Sequence, residues 1–69
     1  MSLAARGAYR DLLDHCYLDG SIPDDPPLLA RMLGCDLAEF ERIWPELRPH
    51  FRRYKRNRLK QAQHPSRYA

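Results

Sequence analysis

Apolar residues recur at steps of three and four from the start of the chain. Leu3, Ala5, Ala8, Tyr9, Leu12, Leu13, Cys16 and Tyr17 fall together as one face of a first helix. Ser2 is placed to cap it, because a hydroxyl there accepts from an early backbone N–H. Gly20 can take the left-handed conformation that closes a helix. Ser21-Ile22-Pro23-Asp24-Asp25 reads as a turn with Ile22 tucked inward. Asp24 or Asp25 caps a second helix, and Pro26 and Pro27 suit its first turn, where the N–H groups they lack would have no helical partner. Leu28, Leu29, Met32 and Leu33 supply its buried face and Gly34 ends it. Asp36 with Glu39 three residues on makes a capping-box pattern for a third helix. That helix carries Leu37, Phe40, Ile43, Trp44 and Leu47, with a kink or restart expected at Pro45.

After Pro49 the pattern admits two solutions. Phe51, Tyr54, Leu59 and Ala62 form one face of a fourth helix that ends before His64-Pro65, or Phe51 to Leu59 makes a short hairpin around Arg56-Asn57. Composition favours the helix. The chain has ten leucines, two isoleucines, no valine and no threonine, whereas strands draw on β-branched residues. The expectation is an all-α domain of three or four helices with a helix-turn-helix-like core and a core of Leu12, Leu13, Leu29, Leu33, Phe40, Ile43, Trp44 and Phe51. Residues 1–51 would form the helical core and residues 52–69 a basic C-terminal helix or tail, frayed from Ser66 to Ala69. Sixty-nine residues make one domain, which buries only ~60% of its unfolded surface and has little stability to spare.

Charge divides the chain more sharply than its net +3 suggests. Residues 1–46 hold nine acids against four Lys/Arg, a balance of −5, while residues 47–69 hold eight Lys/Arg and no acid. Arg48, Arg52, Arg53, Lys55, Arg56, Arg58 and Lys60 place seven cations within thirteen residues, with Tyr54 among them. Such asymmetry points to an anionic partner. On a helix, Arg48, Arg52, Lys55 and Arg56 would share a stripe. The arginine fork donates two hydrogen bonds to one phosphate, and Tyr54 could stack on an unpaired base or pack into the core. A solvated charged face is the plain alternative, as is an acidic body folding back on its own tail.

Other chemistry has little support. His15-Cys16 and Cys35 with His50 are suitable ligand types, but no paired spacing joins them, so no metal or other cofactor is expected. No phosphate-binding glycine loop or nucleophile motif is present, and Asp11, Asp14 and Asp19 read as surface acids on the first helix, so no enzyme is expected. Two cysteines, an opening without the features of a secretory signal, and the lack of ~20 consecutive apolar residues lead to the expectation of a cytoplasmic protein with reduced cysteines and no membrane contact.

Leu29-Ala30-Arg31-Met32-Leu33-Gly34-Cys35-Asp36-Leu37 has the form of a helix-turn-helix, with alanine permitting close approach and glycine making the turn. Its second helix would present Asp36, Ala38, Glu39 and Glu41 outward, with Arg42 as the lone cation, so it is a poor groove reader. The stretch Ser2-Leu3-Ala4-Ala5-Arg6-Gly7-Ala8-Tyr9-Arg10-Asp11-Leu12-Leu13 resembles the opening of the YdaU-like family of phages and prophages. So do Gly20-Ser21-Ile22-Pro23-Asp24-Asp25, the segment Leu28-Leu29-Ala30-Arg31-Met32-Leu33-Gly34, and Trp44, Leu47, Pro49 and Phe51, over about residues 2–52. That family is similar in layout to the winged-helix domains of phage replication initiators. The resemblance therefore implies DNA replication or its regulation, and it brings no catalytic residues. Family members usually have an extended segment before the first helix, and their wing hairpin turns on Asp-Gly or Gly-Arg. Arg52 to Lys60 has neither turn, which implies a wing reduced or absent and a truncated or degenerate member. The expected function is phage-derived nucleic-acid association through the seven cations, mainly to phosphates. The rival is a protein-interaction or self-association module, engaging a replication protein or a second copy.

Overall fold

The computed structural model describes residues 1–62. In chain order it places α1 (Leu3–Asp19), β1 (Ile22–Pro23), α2 (Pro26–Leu33), α3 (Leu37–Leu47), a 3-10 turn at Arg48–His50, β2 (Phe51–Lys55) and β3 (Arg58–Gln61). The ending before His64-Pro65 and the fraying of Ser66 to Ala69 lie outside the described residues.

The helices start and stop where their local chemistry dictates. The Ser2 hydroxyl accepts from the Ala5 N–H at 3.2 Å, and Gly20, at φ 86°, donates its N–H to the Cys16 carbonyl. Asp25, rather than Asp24, caps α2 by accepting from the Leu28 N–H. Gly34, at φ 71°, turns the chain into α3. Asp36 occupies the cap position of α3 but makes no side-chain cap hydrogen bond, so the expected capping box does not form. α3 also runs through Pro45 without restarting. The proline ring is exposed and sits near the helix end, where losing one backbone bond on the solvent side can be tolerated. The backbone tightens into the 3-10 turn directly afterwards.

Glu46 fastens the end of α3 to the start of α1. Its carboxylate accepts from the Ser2 N–H at 2.6 Å and from the Ser2 hydroxyl at 3.0 Å. These bonds hold its carboxyl below the ordinary glutamate range. A lowered folded-state pKa contributes stability that is present above the unfolded value and is lost as pH falls through the folded one. The stability difference between the natural chain and Glu46→Gln should therefore be constant at neutral pH and shrink on acidification through the carboxylate range. Urea unfolding at a series of pH values measures it, and a difference that does not change with pH would remove the carboxylate from this role.

The expected all-α fold, with its wing reduced or absent, is overturned. The three helices are accompanied by an antiparallel sheet of order β1-β3-β2. Ile22 pairs with Leu59, while Phe51 pairs with Gln61, Arg52 with Lys60 and Arg53 with Leu59. The segment after Pro49 is thus the hairpin alternative, and the boundary at residues 51/52 falls inside β2. Its turn at Arg56-Asn57 contains no residue with positive φ. A register irregularity between Arg53 and Lys55 supplies the extra local twist that a β-bulge brings. The Asp24 N–H donates to the Asn57 carbonyl at 2.9 Å and ties the turn to the loop before α2.

The hairpin forms because both of its apolar residues have somewhere to go. Phe51 and Leu59 are buried, whereas Tyr54, which a helix would have placed with them, is 42% exposed. Phe51 meets the Tyr9 ring edge-on at 5.7 Å between centroids. Leu59 completes a core with Ala5, Leu12, Ile22, Leu29, Ala30, Phe40, Leu47 and Phe51. Of the residues expected in the core, Leu13, Leu33, Ile43 and Trp44 are only partly buried against this cluster, with Trp44 stacked on Phe40 at 5.3 Å. Leu28, Leu37, Leu3 and Tyr17 are exposed instead of lying on inward faces. At about 100° per residue, Leu3 sits roughly opposite Leu12 on α1.

Gly7 lies inside α1, where nothing among the described residues requires glycine. Its backbone is helical, and a Cβ there would meet no atom within 4 Å. Glycine in a helix interior costs roughly 0.5–1 kcal/mol relative to alanine. Gly7→Ala should therefore stabilise the dilute protein by about that amount, read from the urea midpoint; a loss of stability would show a contact at Gly7 that the fold does not reveal.

Candidate nucleic-acid interface

Of the cations predicted as a helical stripe, Arg52 and Lys55 lie instead on extended backbone, where neighbouring residues face opposite sides of the sheet, Arg48 lies in the 3-10 turn and Arg56 in the hairpin turn. Arg52, Arg53, Lys55 and Arg56 are brought together along β2 and into the turn, all exposed. Arg48, Arg58 and Lys60 are half-buried and already hold structural partners. The Arg48 guanidinium donates to the Phe51 carbonyl at 2.9 Å, bracing the entry into β2. Arg58 donates from Nε to the Ser21 hydroxyl at 2.9 Å and from Nη2 to the Ser21 carbonyl at 3.0 Å. It thereby satisfies a buried serine and clamps β3 to the chain before β1. Lys60 holds its ammonium 4.0 Å from the centroid of the Tyr54 ring, with Lys55 at 5.3 Å. Tyr54 is thus neither a core residue nor a bare platform, since two cations already lie over it.

The pairing concentrates like charge. Arg52 stands directly across from Lys60, and Lys55 directly across from Arg58. Like charges opposite one another weaken a sheet, by the same ~0.2–1 kcal/mol that opposite charges contribute. Arg52 and Lys60 also line a groove of about 520 Å³ against Leu13 and Cys16 of α1. Burial pushes the Cys16 thiol up, opposed by the Gln61 backbone N–H and by the charges of Arg58 and Lys60. The field of the hairpin therefore reaches the flank of α1.

The remaining surface of the helix-turn-helix has the opposite sign. Asp36, Glu39 and Glu41 are exposed on α3 with Arg42, and the Cys35 thiol beside them is pushed up by burial and by Glu39 and Asp36. The exposed face of α3 is thus acidic, and the hairpin is basic. Cys16 and Cys35 are free thiols. Among the described residues, no group of three or more His, Cys, Asp or Glu is placed to hold a metal ion, and no helix is long and apolar enough to cross a membrane.

What sequence reasoning missed here is the division of labour among the seven cations. Ser21, the partner of Arg58, lies 37 positions away, and no local signal connects the two. Comparison with family models, with curated proteins and with solved structures yields no match to this chain.

The like-charge pairing has a measurable consequence. Arg52→Glu places a carboxylate across from Lys60 and should leave the fold as stable as before, or more stable by ~0.2–1 kcal/mol, while weakening any polyanion contact. Thermal unfolding and a nucleic-acid titration on the same sample read both effects; a destabilised fold would mean that the pair is not repulsive in solution.

Proposed function

We propose that this chain binds nucleic acid through the β2–β3 hairpin, with Arg52, Arg53, Lys55 and Arg56 contacting phosphates and Arg48, Arg58 and Lys60 contributing to the field. The observation that carries this reading is the pair of like-charged cross-strand positions, Arg52 with Lys60 and Lys55 with Arg58, in a segment with no acid after Glu46. A hairpin serving only to close the core has no need of that repulsion, and a polyanion relieves it. Contacts of this kind give affinity with little sequence preference. The acidic face of α3 argues that the helix-turn-helix acts here as a scaffold for the hairpin and does not read bases. Together with the resemblance to the YdaU-like family, the reading extends to a phage-derived role in DNA replication or its regulation.

Fluorescence anisotropy with labelled random-sequence duplex and single-stranded DNA, titrated from low to physiological salt, tests the proposal. Four phosphate contacts predict that log affinity falls linearly with log salt, with a slope of about −3 to −4. The preferred strand form emerges from the same titration. An absence of binding even at low salt, or binding indifferent to salt, would refute the assignment.

A further inference from the structure

The solvent face of α1 carries what a self-complementary helix pair needs. Leu3, Tyr17 and Leu18 are 82%, 85% and 78% exposed, an unusual density of large apolar side chains on the outside of one helix. Leu3, Gly7, Arg10, Asp14 and Tyr17 follow one another at spacings of four, three, four and three, which puts them on one exposed stripe of α1. Gly7 is the second observation. Glycine weakens a helix interior, and among the described residues nothing comes near enough to require its missing side chain. An open groove of about 620 Å³ runs beside it, lined by Met1, Leu3, Arg6, Tyr9, Arg10 and Leu13. The third is charge. Of the ionised side chains on α1, the cations Arg6 and Arg10 are in the N-terminal half, and Asp11, Asp14 and Asp19 are in the C-terminal half.

We propose that α1 is a homodimer interface, in which two copies pack antiparallel about a two-fold axis level with residue 12. One register brings Tyr17, Leu18, Gly7 and the opposite charges together. When Tyr17 of one copy lies level with Gly7 of the other, Arg10 lies level with Asp14 of the other, and Leu18 lies level with Arg6. The Tyr17 ring fills the notch over Gly7 between the stems and charges of Arg6 and Arg10, which favour an aromatic face. Each Arg10 meets an opposing Asp14. Because the two-fold repeats every contact, the helix pair has two knobs, two notches and two ion pairs. A parallel pairing would set Arg10 beside Arg10 and Asp14 beside Asp14. An interface confined to one helix pair falls at the small end of the size range, so the dimer is weak, with a Kd on the order of tens of micromolar.

Sedimentation velocity over roughly 1–500 µM, a range bracketing that Kd, is the test, using the full chain without nucleic acid. The natural protein should pass from monomer to dimer. Arg10→Asp and Asp14→Arg each turn both ion pairs into like-charge pairs, and each should shift dimerisation to at least tenfold higher concentration. Mixed one to one, the two variants should associate as a heterodimer, because every acid then meets a base across the interface. Gly7→Gln, which fills the notch with a side chain that suits a helix, should abolish the dimer while circular dichroism stays unchanged. Because all three positions are exposed, the fold is not at stake. A natural chain that stays monomeric throughout, single variants that dimerise like it, or a mixture no more associated than its components would each overturn the proposal. The second outcome would place any self-association elsewhere, such as acidic body against basic hairpin.

Discussion

Truncating Leu59 to alanine should cost about 2–5 kcal/mol, which is as much as a core of this size supplies in total, ~3–5 kcal/mol. The variant is expected to be largely unfolded at room temperature, as circular dichroism and the loss of a cooperative urea transition would show. Leu59 is fully buried and sits between Ile22 on one side and Arg53 on the other, so its removal opens the core where the sheet meets the helices. The informative comparison is Tyr54→Ala. If the segment were a helix, Tyr54 and Leu59 would share a buried face and both changes would be severe. In the hairpin, Tyr54 is exposed under Lys60, and its loss should cost no more than ~1 kcal/mol. Equal and large effects at the two positions would contradict the hairpin.

The second large effect concerns binding. Replacing Arg52, Arg53 and Arg56 together with glutamine removes three exposed cations while leaving Phe51 and Leu59, which hold the hairpin in place. Each lost phosphate contact lowers the magnitude of the salt slope by about 0.9 on duplex, so the slope should fall by between two and three. Affinity near 0.1 M salt should fall by on the order of tenfold or more, uniformly across sequences, as expected of contacts that position without reading bases. The fold should survive, because relieving the repulsion between Arg52 and Lys60 removes a cost. Affinity unchanged in a folded triple variant would show that the hairpin cations are not the site. Affinity lost on one sequence alone would point to base reading from another surface.

Arg52 and Arg53 show why the site was legible as a composition but not as a geometry. Seven cations in thirteen residues and no later acid are facts of the chain itself. Which of them are exposed depends on backbone type: a helical repeat aligns residues three and four apart, whereas a strand sends neighbours to opposite faces. Arg48, Arg58 and Lys60 were indistinguishable from the rest until Phe51, Ser21 and Tyr54 appeared beside them. Nor could the spacing of α1 tell Tyr17 from Cys16, since one position around the helix separates the rim of the core from its outside.

The sequence by itself determined α1 and α2, because caps and glycine turns act within a few residues: Ser2 on Ala5, an aspartate before Pro26, and Gly20 and Gly34 in left-handed conformations; the cap of α3 and its passage through Pro45 were not determined in this way. It also determined the change from acidic to basic charge along the chain. The state of residues 51–61 was decided only by tertiary structure. Their composition disfavours strand, and their two inward residues, Phe51 and Leu59, fit either pattern. What settles the matter is a pairing between Ile22 and Leu59, residues 37 positions apart brought together by the packing of α1, α2 and α3. An antiparallel partner satisfies the backbone of both segments and buries both side chains at once, whereas a fourth helix would have left Ile22 without a neighbour in the sheet.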